Sequence, residues 1–522
     1  MSRRPVWLSY PAAGVQKLAS TVSRLNTAGA ERFANANRWL LRLPVPLAGL
    51  AIFLFLCDGA QSLRDPFFFR NECWQGFQIT AAARILERQP LYPDVLTDAS
   101  YYIYTPGVPI LHAATMALFG KGLLAPKILS FLFCGISLAG VAAGAYGLTR
   151  SRSAAWVAGG LFAATHRFLA GWPFFIRPDV PAGAFAIWGL VLWAGEANRP
   201  QGRYLRDGLA TLGFLLAAWC KQNYALLIAL HLGFLLWRRG WRYAFAVAAP
   251  IAALGLALLL PFAIGDEHLL STTRILAQHP LRWWTLRVYL FPYLTWSEIT
   301  LLSLLIVECC LFVFNRTVRN NGRALVWVGC CGILLAVSTV VAAKWGSDVN
   351  SYYLFCLILG LPLVRVMYRR GNPVSPSLRP SLHGSMVSVV VSVFLTAQIF
   401  THLLPLTLYP ATYTPPECRN LDQLYAFIQR HRNARIYCPM RNYLTWLGAN
   451  QYDQCDLMTE ALFHAGQPAP PVILDQIVQR RFDYIIGGFH TFQISGTVKR
   501  NYLRLYPSPV PGFDIFVPKP QI

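Results

Sequence analysis

PGVPILHAATMALFG, from Pro106 to Gly120, is the stretch on which the topology turns. Its apolar part, 108–119, is well short of the ~20 residues that a membrane helix needs. If it crossed the bilayer, every later connection would change side. If it lies on the surface, the basic residues fall together. The connections 1–44, 149–153, 196–207, 238–242, 315–323 and 365–384 then hold 22 Lys/Arg against three acids, Glu31, Glu196 and Asp207. The opposite connections, 58–127, 166–179, 220–224, 265–292 and 344–350, hold 13 Lys/Arg against 10 acids. An excess of Lys/Arg marks the cytoplasmic side, so the surface reading is the one adopted.

Outward from that segment the chain reads as a polytopic α-helical membrane protein. Of 522 residues 55% are hydrophobic and 13% charged, about half the charge of an ordinary soluble domain. Eleven mostly apolar stretches recur, at about 44–60, 125–148, 153–168, 180–195, 208–221, 223–237, 243–264, 293–314, 324–343, 351–367 and 386–406. An odd number of spans with a cytoplasmic N-terminus puts the C-terminal segment outside. The net charge of +23 is therefore a topology signal, and no nucleic-acid partner is expected.

Three regions follow. Segment 1–43 carries seven Lys/Arg with Val15, Leu18, Val22 and Leu25 on one helical face, which predicts an amphipathic helix on the inner surface and no cleavable signal peptide. Residues 44–408 form the transmembrane core, with a long first outer connection at 58–124. In that connection Trp74, Phe77, Ala81 and Ile85 repeat at helical spacing while Arg84, Glu87 and Arg88 face elsewhere. Residues 409–522 predict a small extracytoplasmic α/β domain. NLDQLYAFIQRHR and DQIVQRRF read as helices there, and ARIYC, DYIIGG and FDIFVP as strands. Of 12 cysteines, four lie outside the spans: Cys73, Cys418, Cys438 and Cys455. An oxidising compartment permits a disulfide among the last three, and spacing does not choose a pair. With no CxxC motif, a zinc site has no support.

Charges within a membrane protein are expensive, so their places are informative. They gather at the outer ends of spans: Glu72, the IRPD corner with Arg177 and Asp179, CKQNY with Lys221 and Gln222, Asp266–His268, and KWGSDVNSYY with Lys344, Asp348 and Asn350. Each also has a plainer reading. Arg177 and Asp179 can pair to close a turn, Lys221 can snorkel, and Asp266–His268 can be a hydrated loop. Trp283 and Trp284 suit the interfacial belt, and His231 suits packing. Glu308, in LLIVECCLF, sits mid-span and is the one argument for a transporter or a flippase of a lipid-linked glycan. A scaffold without catalysis is the third reading.

The ordered set Glu72, ARILERQPLYPD, YYIYTPGVPILHAATMALFG, IRPD, CKQNY and KWGSDVNSYY resembles bacterial membrane glycosyltransferases of the GT-C fold. Within them it is most similar to the family 39-like group of protein O-mannosyltransferases, lipid A aminoarabinose transferases and rhizobial galacturonosyltransferases. The resemblance covers about 44–370. It implies a polyprenyl-phosphate-linked sugar donor and a hydroxyl acceptor on a glycan, lipid or protein, used at the outer face of the inner membrane with inversion. On that pattern Glu72 is the catalytic base, and Arg177, Lys221 and Lys344 bind the donor phosphate. Asp179, orienting Arg177 or meeting sugar hydroxyls, joins Tyr102, Tyr104, Gln222, Asp348 and Asn350 as substrate contacts. The family's acidic motif stands here as Asn71-Glu72, so the need for a divalent metal, Mg²⁺ or Mn²⁺, stays open and no other cofactor is expected.

Overall fold

The computed structural model describes residues 39–64, 72–94, 102–169, 171–195, 200–264, 268–289, 294–314, 322–343, 349–368, 382–408, 420–438, 444, 471–487 and 492–520. The expected N-terminal amphipathic helix lies outside them.

The apolar runs are helical. They give α1 (Pro44–Arg64), and, after two helices of the first connection, α2 (Glu72–Leu86) and α3 (Gly107–Phe119), the helices α4 (Leu124–Thr149) and α5 (Arg152–Ala164). Next come α6 (Asp179–Ala194), α7 (Pro200–Cys220), α8 (Ala225–Arg239) and α9 (Trp241–Ile264). After the short α10 (Leu269–Gln278) follow α11 (Trp296–Phe314), α12 (Gly322–Ala342), α13 (Asn350–Met367) and α14 (His383–Leu408). Among the described residues five helices are long and apolar enough to cross a bilayer: α1, which continues back to Trp39, α4, α9, α13 and α14. The 13 residues of α3 are too few. Leu118 and Phe119 at its end are exposed, as a helix lying at an apolar boundary requires.

Small residues let the helices approach. A Cβ placed on Gly160 of α5 would stand 2.4 Å from Ala48 Cβ of α1, and one on Gly189 of α6 would stand 2.6 Å from Phe214 of α7. In lipid such contacts, not exclusion of water, hold helices together. Gly160→Val is expected to cost about 1–3 kcal/mol by forcing α1 and α5 apart; a lowered melting temperature in detergent checks it, and an unchanged one refutes the contact.

The first connection is built as a separate small core. Phe77 and Ala81 of α2 pack with Leu91, Tyr92, Tyr102 and Ile103. Arg84 departs from the expected outward orientation: it is buried, and its Nε and Nη2 donate to Pro90 O at 2.9 and 2.8 Å, closing the turn after α2. Glu87 pairs with Lys121.

The C-terminal unit has helices α15 (Leu421–Arg430), α16 (Pro471–Val478) and α17 (Phe492–Asn501). Its strands are β1 (Ile436–Tyr437), β2 (Tyr484–Ile486), β3 (Tyr502–Arg504) and β4 (Ile515–Pro518), in the order β1-β2-β4-β3. β1 runs parallel to β2, and β4 is antiparallel to both of its neighbours. Alternate side chains serve the two faces. Tyr437, Ile485 and Phe516 meet Ile477 and Val498 of α16 and α17. Ile436, Ile486 and Ile515 meet α15, and that layer continues into Ile79, Ala82 and Ala83 of α2 and Ala113 and Met116 of α3. The unit therefore shares a core with one face of α2 and α3, the other face of α2 serving the separate small core. α17 and β3 were not apparent from sequence, because Gly496 and Thr497 mask the Ile494/Val498 helical pair. Cys438 is buried; Cys418 and Cys455 lie outside the described residues.

Candidate active site

The IRPD corner forms where α5 ends and α6 begins. Pro178 precedes the first helical residue with φ −65°, ready for helix, and Asp179 opens α6, where the helix dipole favours an acid. Asp179 is 1% exposed. Lys221 Nζ lies 2.5 Å from its Oδ1, and Asn350 Nδ2 donates to its Oδ2 at 3.2 Å. The carboxylate thus ties α6, the end of α7 and the start of α13. It holds Lys221; the sequence expectation was that it orients Arg177 or meets sugar hydroxyls, and the two-residue spacing of IRPD gave no sign of a cation 42 positions on.

Lys221 is 5% exposed and Arg177 also buried. A small cleft beside Lys221 is lined by Asp179, Lys221, Tyr224, Ser338 and Asn350. Lys221 Nζ stands 5.8 Å from the centroid of the Tyr104 ring, a cation–π contact. The 102–105 segment is stitched beside it. Thr105 Oγ1 donates to Ala218 O at 2.9 Å, Gln222 Nε2 to Ile103 O at 3.3 Å, and Tyr92 Oη to Tyr104 O at 2.6 Å. Tyr102 is 1% exposed, stacked on Phe77 and donating to Gln78 Oε1 at 2.6 Å, so its face is covered, while Tyr104 is half-buried. Burial, then Tyr92 and Tyr104, push the Tyr102 phenol well up against the pull of Arg177, so it is a neutral donor.

Two glutamines of α2 reach this region: Gln78, through Tyr102, and Gln75, whose Oε1 accepts from Ile176 N at 3.1 Å. Glu72 is the first residue of the same helix, three positions before Gln75. Its side chain lies outside the described residues, as do Lys344, Asp348, Asp266 and Glu267. His268 is described and exposed, and Trp283 and Trp284 are exposed as a belt requires. Glu308 has a partner: His383 Nε2, in the first turn of α14, stands 2.6 Å from its Oε1. His231 packs edge-on against Trp193, and its Nε2 lies 3.3 Å from Asp207 O.

Sequence reading passed over a second buried cluster. Asp58 of α1, 2% exposed, lies 2.9 Å through Oδ2 from Nε2 of the fully buried His166, and His166 Nδ1 is 3.3 Å from His402 Nε2 of α14. Lys127, at the start of α4, donates to Ser62 O at 3.1 Å. The only sequence signal was a lone Asp and two lone His inside or beside apolar runs.

The fold and site define a helical membrane protein with a buried cation–carboxylate centre under a surface-lying connection and a small α/β unit. Over 90% of its length the chain is similar to the crystal structure of ArnT from Cupriavidus metallidurans in the apo state, with 13% identity, a TM-score of 0.42 and 99% of that chain covered. It is likewise similar to ArnT bound to undecaprenyl phosphate, at 12% identity and TM-score 0.41 over 89% of this chain and 98% of that one. Arabinofuranosyltransferase AftD from Mycobacteria is similar at 15% identity and TM-score 0.46, over 92% of this chain and 41% of that one. These neighbours are GT-C glycosyltransferases. At such scores the likeness carries no residue role across. No protein-family model and no curated protein matches the chain.

Proposed function

We propose that the protein is a membrane glycosyltransferase that moves a sugar from a polyprenyl-phosphate-linked donor to an acceptor hydroxyl on a glycan, lipid or protein, with inversion. The observation that carries the reading is the buried Lys221–Asp179 pair, with the buried Arg177 two residues before Asp179 and Gln75 of α2 bonded to the backbone of Ile176 beside it. In a low-dielectric corner buried cations stabilise charge developing on a leaving phosphate. Asp179 holds Lys221 in place, and Arg177, with Lys344, completes the phosphate set. Glu72 removes the acceptor proton while the acceptor oxygen attacks the anomeric carbon; the C–O bond to phosphate breaks and its electron pair leaves on the phosphate. Tyr104, Gln222, Asn350 and Asp348 contact the substrate.

Among the described residues no three His, Cys, Asp or Glu side chains gather as metal donors, so no step is routed through Mg²⁺ or Mn²⁺. The charge asymmetry of the connections supports the inner membrane, a cytoplasmic N-terminus and a C-terminal unit from 409 on the outer side. Incubating purified protein with isotope-labelled lipid-linked sugar and envelope acceptors tests the reading. Label in a new covalent bond supports it; label that only crosses the bilayer supports the transporter instead.

The transporter reading leans on Glu308, whose His383 partner fits a latch between α11 and α14. Glu308→Gln is expected to leave transfer within about twofold and to lower thermal stability by about 1–2 kcal/mol. Loss of transfer with stability intact would reverse that assignment.

A further inference from the structure

We propose that the cavity beside Asp58 is a hydroxyl-selecting subsite for the transferred sugar, with Asp58 as the acceptor of that hydroxyl and His166 and His402 as its positioning residues. The proposal rests on the glycosyl-transfer reading.

An ion buried in an apolar bundle costs several kcal/mol unless its partners and its use repay it. Here a carboxylate, an ammonium group and two imidazoles from four parts of the chain converge. His166 Nε2 faces the Asp58 carboxylate at ion-pair distance, and His166 Nδ1 lies against His402 Nε2, so the two rings back the carboxylate from one side.

A brace between helices needs no cavity, yet Asp58 lines one. Its other walls are Ser62, Gln75 and Lys127, backed by Phe174 and Phe175, and the space is of the order of a single oxygen. That is too small for a sugar ring and right for one hydroxyl projecting from it. The wall chemistry fits a group that both donates and accepts. Asp58 is an acceptor and the Lys127 ammonium a donor. Gln75 uses Oε1 for Ile176 N, which turns its Nε2 the other way as a second donor. The same glutamine fixes where the sugar must be. Ile176 is the residue before Arg177, so the cavity lies one side chain from the phosphate corner, the reach of a sugar attached to that phosphate.

A site built to hydrogen-bond a hydroxyl rejects the analogue that lacks it far more strongly than a site that merely has room for it. The test uses purified full-length protein and polyprenyl-phosphate-linked glucose, galactose, mannose and arabinose, followed by the monodeoxy forms of whichever sugar is transferred. One monodeoxy donor is expected to lose about 10³-fold or more in kcat/KM with the wild-type protein. Asp58→Asn keeps the size and shape of the side chain beside His166, so the bundle survives; its preference for the parent over that deoxy donor is expected to fall at least about tenfold, because a charged acceptor has become neutral. His166→Ala is expected to act in the same direction and His166→Gln, which still donates, to recover part of the preference. Equal preference in the wild type and Asp58→Asn would overturn the subsite while leaving glycosyl transfer standing.

A second measurement needs no turnover. Adding the methyl glycosides of the same four sugars should shift an infrared carboxylate band that is missing in Asp58→Asn. A shift without transfer keeps the sugar-hydroxyl contact at Asp58 but removes its role in transfer; no shift with any of the four overturns the subsite.

Discussion

Replacing Asp179 with alanine is expected to lower stability by about 3–5 kcal/mol and to abolish sugar transfer. Lys221 is 5% exposed and Asp179 1%, so removing the carboxylate strands an ammonium group where water does not reach it. Asn350 loses its acceptor as well, which loosens the junction of α6 with α13. The loss should be repaired by the double change Asp179→Leu with Lys221→Met, since an apolar pair of similar volume is tolerated where a lone charge is not. The repaired protein should remain inactive, because the phosphate has lost a cation. Thermal unfolding in detergent together with a transfer assay reads both effects. A single Asp179→Ala variant within about 1 kcal/mol of wild type would show that the pair is not the buried tie described here.

Glu72→Gln is expected to keep the fold and donor affinity while transfer falls by about 10²–10⁴-fold, the usual worth of a positioned general base. Glutamine matches the glutamate in shape and removes only its capacity to take a proton. Glu72 opens α2, and the helix core formed by Phe77 and Ala81 does not depend on it. Single-turnover rates with bound donor separate the chemical step from binding. A variant with wild-type turnover would pass the base assignment to another group.

Much of the architecture is legible in the sequence because its causes are local. Apolar runs such as 125–148 form helices wherever they lie, since a chain in lipid must satisfy its own backbone. The brevity of 108–119 between Pro106 and Gly120 limits α3 to 13 residues, fewer than a bilayer crossing needs, and it does so without reference to any other segment. Ile436, Ile486 and Ile515 alternate with Tyr437, Ile485 and Phe516 at the period of a strand, so the sheet also announces itself. Polar residues at span ends likewise named the corner: Arg177, Asp179 and Lys221 stand out against their apolar neighbours.

Pairing was not legible. Within IRPD the spacing offers Arg177 as a neighbour of Asp179 but gives no sign of Lys221 and Asn350, its partners 42 and 171 positions away. Arg84 read as a solvent-facing residue until the turn at Pro90 came back over it. Asp58, His166 and His402 are each unremarkable in sequence, and only the packing of α1, the end of α5 and α14 makes them a cluster.

The sequence by itself thus determined that the chain is a bundle of apolar helices, that polar groups gather at helix ends, and that a sheet domain follows, because hydropathy and periodicity act over one element at a time. Tertiary structure alone decided which acid holds which base, because an ion buried in a low-dielectric bundle takes the partner that geometry brings within about 3 Å, at any distance along the chain.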